Sequence, residues 1–173
     1  MSDANLVYGY FDSPVGSLLV AGDAGQLHSI RFPTEGRAYE PLTGWRRDDS
    51  VFAETFAQLG AYFAGELRDF SLPLRFAGTA FQNKVWKALC GIPFGETISY
   101  GGLAARIGKP TASRAVGGAN GANPLPIVVP CHRVIGSDKS LTGFGGGVEI
   151  KRFLLTHEQG LSPNAGSQIS LAI

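Results

Sequence analysis

Residues 126–134 have the sequence Pro-Ile-Val-Val-Pro-Cys-His-Arg-Val, and the rest of the chain is organised around them. Three β-branched residues between two prolines predict a short buried strand that ends at Cys131. A thiol attacks as the thiolate, so a reactive cysteine needs a nearby base or positive charge, which His132 and Arg133 could supply. A buried, unreactive cysteine beside a surface histidine is the alternative that these residues alone leave open.

Composition indicates an ordinary globular protein. The 173 residues are 44% hydrophobic and 17% charged, without an apolar run that could cross a bilayer or a secretory signal after Met1. We therefore expect no membrane partner. Cys90 and Cys131 form no Cys-x-x-Cys motif, which argues against a zinc site or a disulfide framework and favours a cytoplasmic location. We expect Cys90 to be a buried helix thiol, and its role stays open.

Charge is distributed unevenly along the chain. Residues 1–78 hold six Arg against ten Asp and Glu, a balance of −4, while residues 79–157 hold nine basic against three acidic residues, a balance of +6. With Glu158 the sum −4 + 6 − 1 is the net +1. The second half is therefore expected to face a polyanion, with chance clustering as the alternative.

The first part of the chain predicts a small antiparallel meander followed by a helix. Short β-prone runs cover residues 7–11, 17–21 and 26–32, and residues 33–49 have the composition of a loop. Ser50 or Asp49 is expected to cap a helix that continues to about Ala64. Residues 72–76 alternate as a last strand or an extended linker, and this unit closes near Gly78.

The second part predicts a helix-turn-helix. Thr79 and Gln82 fit a capping box for a helix that ends near Gly91, and Ser99 is expected to cap a helix from Tyr100 to Ile107. After Lys109-Pro110, Thr111 is expected to cap a third helix.

This third helix carries Arg114 and otherwise almost no bulk, with Gly117 and Gly118 in its interior. Each interior Gly costs about 1 kcal/mol relative to Ala, which a helix accepts where another surface comes close. That surface is either a neighbouring helix or a nucleic-acid groove, and the local positive charge favours the groove.

A Gly-rich loop at residues 141–147 lacks the Gly-Lys-Ser/Thr of a phosphate loop and is expected to cover a pocket, with Phe144 available to stack on a planar ligand. A last helix is expected from Val148 to Glu158. Its apolar side should carry Ile150, Phe153, Leu154 and His157, with Gly160 beyond its end.

Cys131 and His132 should point in opposite directions along an extended chain, so we expect a bridging water between them. Glu158 is the best candidate for the acid that orients the imidazole. A zinc deaminase would need a second cysteine where Val134 stands, and the signatures of papain-like and caspase-like hydrolases are absent from the sequence.

The sequence resembles the O6-alkylguanine-DNA alkyltransferases in several segments. These are residues 130–134, Arg-Ala-Val-Gly-Gly-Ala at 114–119, Asn123-Pro124, the Gly-rich loop and His157-Glu158. The O6-alkylguanine-DNA alkyltransferases are also called the methylated-DNA protein-cysteine methyltransferases. The resemblance implies an α/β (α+β) fold, with an N-terminal RNase H-like domain at residues 1–78 that holds the small antiparallel sheet. It also implies a C-terminal winged helix-turn-helix-like domain at 79–160. Residues 161–173 are expected to form a flexible tail.

The same resemblance implies the roles of individual residues. Cys131 would accept the alkyl group, His132 would act as base through water, and Glu158 would orient His132. Asn123 would hold the turn before the nucleophile, and Tyr100 would donate a proton to the departing guanine. Arg114 would fill the space left by the flipped base. The pocket would be built by Pro126, Val134, Phe144 and Gly145, and the DNA contacts would come from Thr111, Ser113, Arg114, Ala115, Gly117, Gly118 and Asn120.

The implied function is repair of double-stranded DNA that bears O6-alkylguanine, in a single turnover and without cofactor or metal. The protein would be a monomer in the absence of DNA. Two alternatives remain at this point: a non-catalytic lesion sensor, and a cysteine hydrolase with turnover.

Overall fold

The computed structural model of the chain describes residues 6–141 and 144–161. The contacts divide the chain into two compact units, with the boundary between Arg75 and Phe76, close to the Gly78 expected from sequence. No helix within the described ranges is long and apolar enough to cross a membrane.

The first unit contains a small sheet with the strand order β3-β2-β1-β4. The strands β1 (Val7–Ser13), β2 (Gly16–Gly22) and β3 (Leu27–Arg31) form the predicted antiparallel meander. The short strand β4 (Arg46–Arg47) pairs parallel with β1 inside the segment predicted as a loop. Two exposed arginines carry no alternating apolar pattern, so this strand could not be predicted from hydrophobic periodicity.

Helix α1 (Ala53–Phe63) follows a 3-10 turn at Asp49–Phe52. The cap of this turn is Asp48, whose carboxylate accepts a hydrogen bond from the Ser50 amide at 3.2 Å, so the expected caps Ser50 and Asp49 were wrong. The predicted strand or linker at 72–76 contributes one bridge, between Leu74 and Leu27.

The second unit begins with helix α2 (Ala80–Leu89), and both hydrogen bonds of its predicted capping box are present. The Gln82 amide donates to Thr79 Oγ1 at 3.1 Å, and the Thr79 amide donates to Gln82 Oε1 at 3.0 Å. Trp86 Nε1 donates to the carbonyl of Ala119 at 2.8 Å, which fixes α2 against the third helix of this unit.

Helices α3 (Tyr100–Arg106) and α4 (Ser113–Gly121) form the predicted helix-turn-helix. Ser99 caps α3 as expected, since its hydroxyl accepts a hydrogen bond from the Gly102 amide at 2.9 Å. Thr111 does not cap α4. The cap position is Ala112, which offers no side-chain acceptor.

The segment before Cys131 is buried as predicted but is not a strand. Residues 125–130 are all buried, yet the backbone turns there, and Ile127 has a φ of 74°, which β-branched residues rarely adopt. Flanking prolines have no N–H to give to a ladder, so the apolar run packs as a turn. The strand β6 (Val134–Ile135) lies after the cysteine instead, and pairs in parallel with β5 (Ile98–Ser99).

Helix α5 (Val148–Leu161) is longer than expected and includes Gly160. Its buried side carries Lys151, Leu154, Leu155, Glu158 and Gln159, whereas Phe153 is exposed and His157 is half-buried. The predicted apolar side was therefore rotated. The loop residues Thr142 and Gly143 and the tail from residue 162 lie outside the described residues.

Candidate active site

Cys131 is held in a tight backbone turn. Residues Cys131–Arg133 form a 3-10 turn in which the Arg133 amide donates to the Pro130 carbonyl at 3.0 Å. The Val134 amide then donates to the Cys131 carbonyl. Cys131 is only 4% exposed. The turn leads directly into β6, where Val134 pairs with Ile98 and Ile135 pairs with Ser99, the residue before Tyr100 at the start of α3.

His132 is completely buried and bonded to the predicted acid. Its Nε2 lies 2.6 Å from Glu158 Oε2. An ionised carboxylate can only accept, so Nε2 carries the proton and Nδ1 of the neutral ring is an acceptor. Nδ1 is buried and has no hydrogen-bond partner among the described residues. The His132 imidazole therefore makes no hydrogen bond to the Cys131 thiol, as expected from sequence, although both residues lie in a 3-10 turn and not in an extended strand.

Glu158 is the centre of a buried ionic cluster. The Arg133 guanidinium donates to both carboxylate oxygens, with Nε 2.8 Å from Oε1 and Nη2 3.1 Å from Oε2. The Gly95 amide adds a bond of 3.2 Å, and Arg133 Nη1 donates to the Ile92 carbonyl at 2.6 Å. Arg133 is thus held against Glu158, and the sequence-based idea that it offers its charge to Cys131 is not supported.

The surroundings shift the pKa of the reacting groups. Burial raises the pKa of the Cys131 thiol to about 11, against the opposing effects of a hydrogen bond with Asn123 and the charge of Lys151. Burial lowers the pKa of His132, so the ring is neutral near pH 7. Burial alone would raise the pKa of Glu158, but the charges and hydrogen bonds of His132 and Arg133 outweigh it and hold this pKa well below its ordinary value.

Two asparagines support the turn from the end of α4. Asn123 Nδ2 donates to the Val129 carbonyl at 2.8 Å, and its Oδ1 accepts from the Leu125 amide at 3.0 Å. Asn120 is only 1% exposed, and its Nδ2 lies 3.3 Å from the Cys131 carbonyl. A buried side chain cannot reach a DNA strand, so the structure contradicts the expected DNA contact of Asn120.

The remaining residues assigned to DNA lie around the start and outer side of α4. Thr111, Arg114, Ala115 and Gly118 are exposed, while Ser113 and Gly117 are half-buried. The Tyr100 ring lies against this helix, because a Cβ placed on Gly117 would be 3.7 Å from Tyr100 Cδ1. Gly117 thus has room for a Cβ in ordinary contact with Tyr100, and Gly118 faces open space among the described residues.

The expected pocket residues are brought together only in part. Pro126 and Val134 are buried beside the Cys131 turn. Phe144 is half-buried and Gly145 is exposed, and both follow directly after the undescribed Thr142 and Gly143.

Sequence reasoning missed Lys151. Its Nζ donates to the Val134 carbonyl at 2.6 Å and lies 5.9 Å from the centre of the Tyr100 ring. The signal was present, since Lys151, Leu154, Leu155 and Glu158 share the i, i+3, i+4, i+7 spacing of one helix side. Cys90 is exposed directly after α2, against the expectation of a buried thiol. The described residues contain no group of three His, Cys, Asp or Glu side chains that could hold a metal ion.

Comparison with known proteins gives the same picture over about nine-tenths of the chain. Residues 6–76 match the family model of the 6-O-methylguanine DNA methyltransferase ribonuclease-like domain, and residues 80–160 match that of the DNA binding domain. A methylated-DNA–protein-cysteine methyltransferase of Mycobacterium bovis is 51% identical over 157 residues, which cover 90% of this chain and 94% of the relative. One of Methanosarcina acetivorans is 48% identical over 153 residues, which cover 88% of this chain and 98% of the relative.

Solved structures agree in fold. The O6-methylguanine methyltransferase of Mycobacterium tuberculosis superposes with a TM-score of 0.85 at 50% identity, covering 91% of this chain and 95% of that one. The Mycobacterium tuberculosis protein in complex with DNA gives a TM-score of 0.83 at 48% identity, covering 92% and 95%. The predicted α/β class, with its ribonuclease-like and DNA-binding parts, is confirmed, and the chain belongs to the 6-O-methylguanine DNA methyltransferase family.

Proposed function

We propose that this chain repairs double-stranded DNA by flipping O6-alkylguanine out of the helix and transferring its alkyl group to Cys131. Membership of the family makes it a methyltransferase of DNA repair whose acceptor is one of its own cysteines. The observation that carries the choice of cysteine is the buried cluster in which Glu158 binds His132, the residue that follows Cys131, while His132 Nδ1 has no hydrogen-bond partner among the described residues.

The proposed reaction begins with ionisation of the nucleophile. His132 takes the Cys131 proton through a bridging water, and Glu158 orients the ring by accepting from its Nε2–H. Since the imidazole is neutral near pH 7, it can accept that proton, and the carboxylate stabilises the imidazolium that forms.

The thiolate then attacks the alkyl carbon. A carbon–sulfur bond forms while the carbon–oxygen bond to guanine breaks, and the electron pair leaves with the base. Guanine gains a proton, which we assign to Tyr100, next to α4 and at the start of α3. The product is a thioether, and no step restores the thiol, so each molecule acts once.

Access to the base requires base flipping, because a stacked guanine cannot present its O6-alkyl carbon to a nucleophile in the protein. We assign Arg114, exposed in the first turn of α4, to the space that the base leaves. The backbone at Val134 and Gly145 and the side chains of Pro126 and Phe144 would form the pocket. Thr111, Ser113, Ala115, Gly117 and Gly118 would form the DNA-facing side of the helix-turn-helix.

Two further features complete the proposal. The acceptor thiol has to stay reduced, which fits the cytoplasm. We expect a monomer in the absence of DNA, and sedimentation of the DNA-free protein at several concentrations would measure this.

The test is intact-mass spectrometry after mixing with a slight excess of duplex DNA containing O6-methylguanine, followed by peptide mapping. We expect a gain of one methyl group per molecule on the peptide that holds Cys131, with normal guanine in the DNA. Cys90→Ser is the matched control, because it removes the exposed thiol and should leave the transfer intact.

Other outcomes would contradict the proposal. An unchanged protein mass with the lesion retained would indicate a lesion sensor, and an unchanged mass with the lesion gone would indicate turnover. Methylation that persists in Cys131→Ser would mean that another residue is the acceptor.

A further inference from the structure

The last residues of the first unit are fastened to the edge of its sheet. Residues 71–75, here called the closing segment, form a bridge with β3, which is an edge strand of the sheet. The Leu27 amide donates to the Pro73 carbonyl at 2.8 Å, and the Arg75 amide donates to the Leu27 carbonyl at 3.0 Å. Arg75 is also the last residue of the unit. A change that breaks these two bonds therefore loosens the end of the unit.

His28 connects the closing segment to the turn between β2 and β3. The His28 side chain is only 10% exposed, and both ring nitrogens have a partner. Nδ1 lies 3.0 Å from Arg75 Nη1, and Nε2 lies 2.9 Å from Asp23 Oδ2. The ring thus joins a cation on one side to an anion on the other.

These partners determine the protonation state of the ring. A guanidinium only donates hydrogen bonds, so His28 Nδ1 must accept from Arg75 and carries no proton. Nε2 then carries the proton and donates to the Asp23 carboxylate. The protonated ring donates from both nitrogens, so it could not accept from Arg75. The observed arrangement therefore requires the neutral ring.

Asp23 is a fixed and ionised acceptor. Its Oδ1 accepts hydrogen bonds from the Gly25 amide at 2.8 Å and from the Gln26 amide at 2.7 Å. These two bonds and the contact with His28 hold the pKa of Asp23 below its ordinary value. Asp23 is therefore ionised over the pH range in which histidines titrate, and it would keep a protonated His28 ring in place while the contact with Arg75 is lost.

Other charged groups on the surrounding elements have partners of their own. Glu54 of α1 lines the same pocket as Asp23, and Glu54 Oε1 accepts from Gln58 Nε2 at 2.8 Å. On β3, the guanidinium carbon of Arg31 lies 5.6 Å from the centre of the Tyr39 ring. Among the described residues, the charged groups bonded to the His28 ring are Asp23 and Arg75.

We propose that Asp23, His28 and Arg75 form a pH-sensitive clasp, which holds residues 73–75 on β3 while the ring is neutral and releases them when the ring gains a proton. Protonation places two donors and two positive charges at hydrogen-bond distance, which breaks the contact between His28 and Arg75. The proton comes from solvent, and only hydrogen bonds change. Histidine changes its charge between about pH 5 and pH 8, so the clasp acts near physiological pH.

The start of the closing segment has a fastening that does not titrate. The Ser71 amide donates to Gln58 Oε1 at 2.9 Å, and Gln58 Nε2 donates to the Ser71 carbonyl at 3.3 Å. A side-chain amide keeps its donors and its acceptor throughout this pH range. Release should therefore be confined to residues 73–75, and the Ser71 amide is an internal reference.

Two variants separate the two contacts of the ring. The amide oxygen of Asn can take the place of Nδ1, so His28→Asn keeps an acceptor for Arg75 that does not titrate. The amide nitrogen of Gln can take the place of Nε2, so His28→Gln keeps a donor for Asp23 and loses the acceptor for Arg75. His157→Gln, on α5 of the second unit, is the matched control for loss of a histidine elsewhere.

The first measurement is amide hydrogen exchange by NMR between about pH 5 and pH 8, expressed as protection factors to remove the intrinsic pH dependence of exchange. As the His28 ring gains its proton, which the same spectra follow, the protection of the Leu27 and Arg75 amides should fall about tenfold, as expected for loss of a charged hydrogen bond. The Ser71 amide should keep its protection.

The variants should differ in a defined way. His157→Gln should behave as the original protein does, His28→Asn should keep the Leu27 and Arg75 amides protected at every pH, and His28→Gln should leave them weakly protected at every pH. The same fall in His28→Asn would show that another group causes it. Unchanged protection across the titration of the ring in the original protein would overturn the proposal.

The second measurement needs no variant. Correlation spectra of the imidazole protons and nitrogens identify the nitrogen that carries the proton in the neutral ring. At about pH 8 we expect the proton of His28 on Nε2 and none on Nδ1. A proton on Nδ1 of the neutral ring would contradict the proposal, because Nδ1 could not then accept from Arg75. Neither measurement contains DNA, so the result does not depend on the proposed function.

Discussion

At the scale of single residues, Asn120 links helix α4 to the backbone of Cys131. It sits on the buried side of α4, and its Nδ2 contacts the Cys131 carbonyl, while Oδ1 is buried and has no partner among the described residues. The contact contributes about 1 kcal/mol, whereas an unsatisfied buried acceptor costs about 1–3 kcal/mol. The two terms oppose each other, so we expect Asn120 to contribute little to the free energy of unfolding. Its main effect should be to hold the Cys131 backbone in position.

Asn120→Leu should therefore separate stability from activity. We expect the free energy of unfolding to stay within about 1 kcal/mol of the original or to rise. The single-turnover rate of methyl transfer should fall several-fold, because the Cys131 carbonyl loses its tether to α4. Urea denaturation and rapid-quench kinetics measure the two quantities. A variant that transfers methyl at the original rate would show that Asn120 does not position the turn.

At the scale of elements, the two interior glycines of α4 have different surroundings. Gly117 faces the Tyr100 ring, and a Cβ at this position would make an ordinary van der Waals contact of 3.7 Å with Tyr100 Cδ1. Apart from the backbone of α4 itself, a Cβ at Gly118 would meet no atom of the described residues within 4 Å. Packing among the described residues therefore does not explain Gly118, and the open space fits our proposal that DNA approaches this side of α4.

Gly118→Ala should stabilise the protein and weaken DNA binding. Alanine in place of an interior helix glycine adds up to about 1 kcal/mol of stability. The added methyl group would meet DNA if the outer side of α4 enters a groove, at a cost of about 1 kcal/mol or more in binding. Thermal unfolding and fluorescence anisotropy with duplex DNA measure the two effects.

Gly160→Ala is the control for this prediction, because Gly160 also lies in a helix with open space around it. Its affinity for DNA should not change. Equal DNA affinity for Gly118→Ala and the original protein would mean that this side of α4 stays away from DNA.

At the scale of the whole molecule, the buried cluster couples stability to pH. The pKa of His132 is lowered on folding, so the unfolded chain binds the proton more tightly and stability falls as the pH drops below about 6.5. The pKa of Glu158 is also lowered on folding. The stability that it contributes is complete above its ordinary value of 4.5 and decreases as the pH falls from there.

The free energy of unfolding should accordingly decrease in two stages between about pH 7 and pH 3. Urea titrations followed by Trp86 fluorescence, in a Trp45→Phe background, would report on the second unit alone. Glu158→Gln should lower stability by about 3 kcal/mol at pH 7 and remove the second stage. Glu149→Gln, at an exposed position of the same helix, should follow the original curve. A Glu158→Gln curve parallel to the original down to about pH 3 would contradict this account.

The sequence alone determined the elements that rest on local rules. The meander, the capping box at Thr79, the Ser99 cap and the helix-turn-helix could be predicted, because caps, turns and hydrophobic spacing act over a few residues. Burial around Cys131 was predictable for the same reason. The choice of Cys131, His132 and Glu158 came from a motif, and the structure brings the last two into contact although they are 26 residues apart in sequence.

Only the tertiary structure decided what the buried polar groups do. The composition of the run before Cys131 is compatible with either a strand or a turn. In the folded protein the run is a turn, in which Ile127 has a left-handed backbone conformation. The neighbours that lie opposite each helix determine which side of α5 is buried, that Asn120 is buried and where Lys151 lies. Local sequence does not predict those neighbours. A lysine on an apolar side becomes part of the site only when the fold places Val134 and Tyr100 against it.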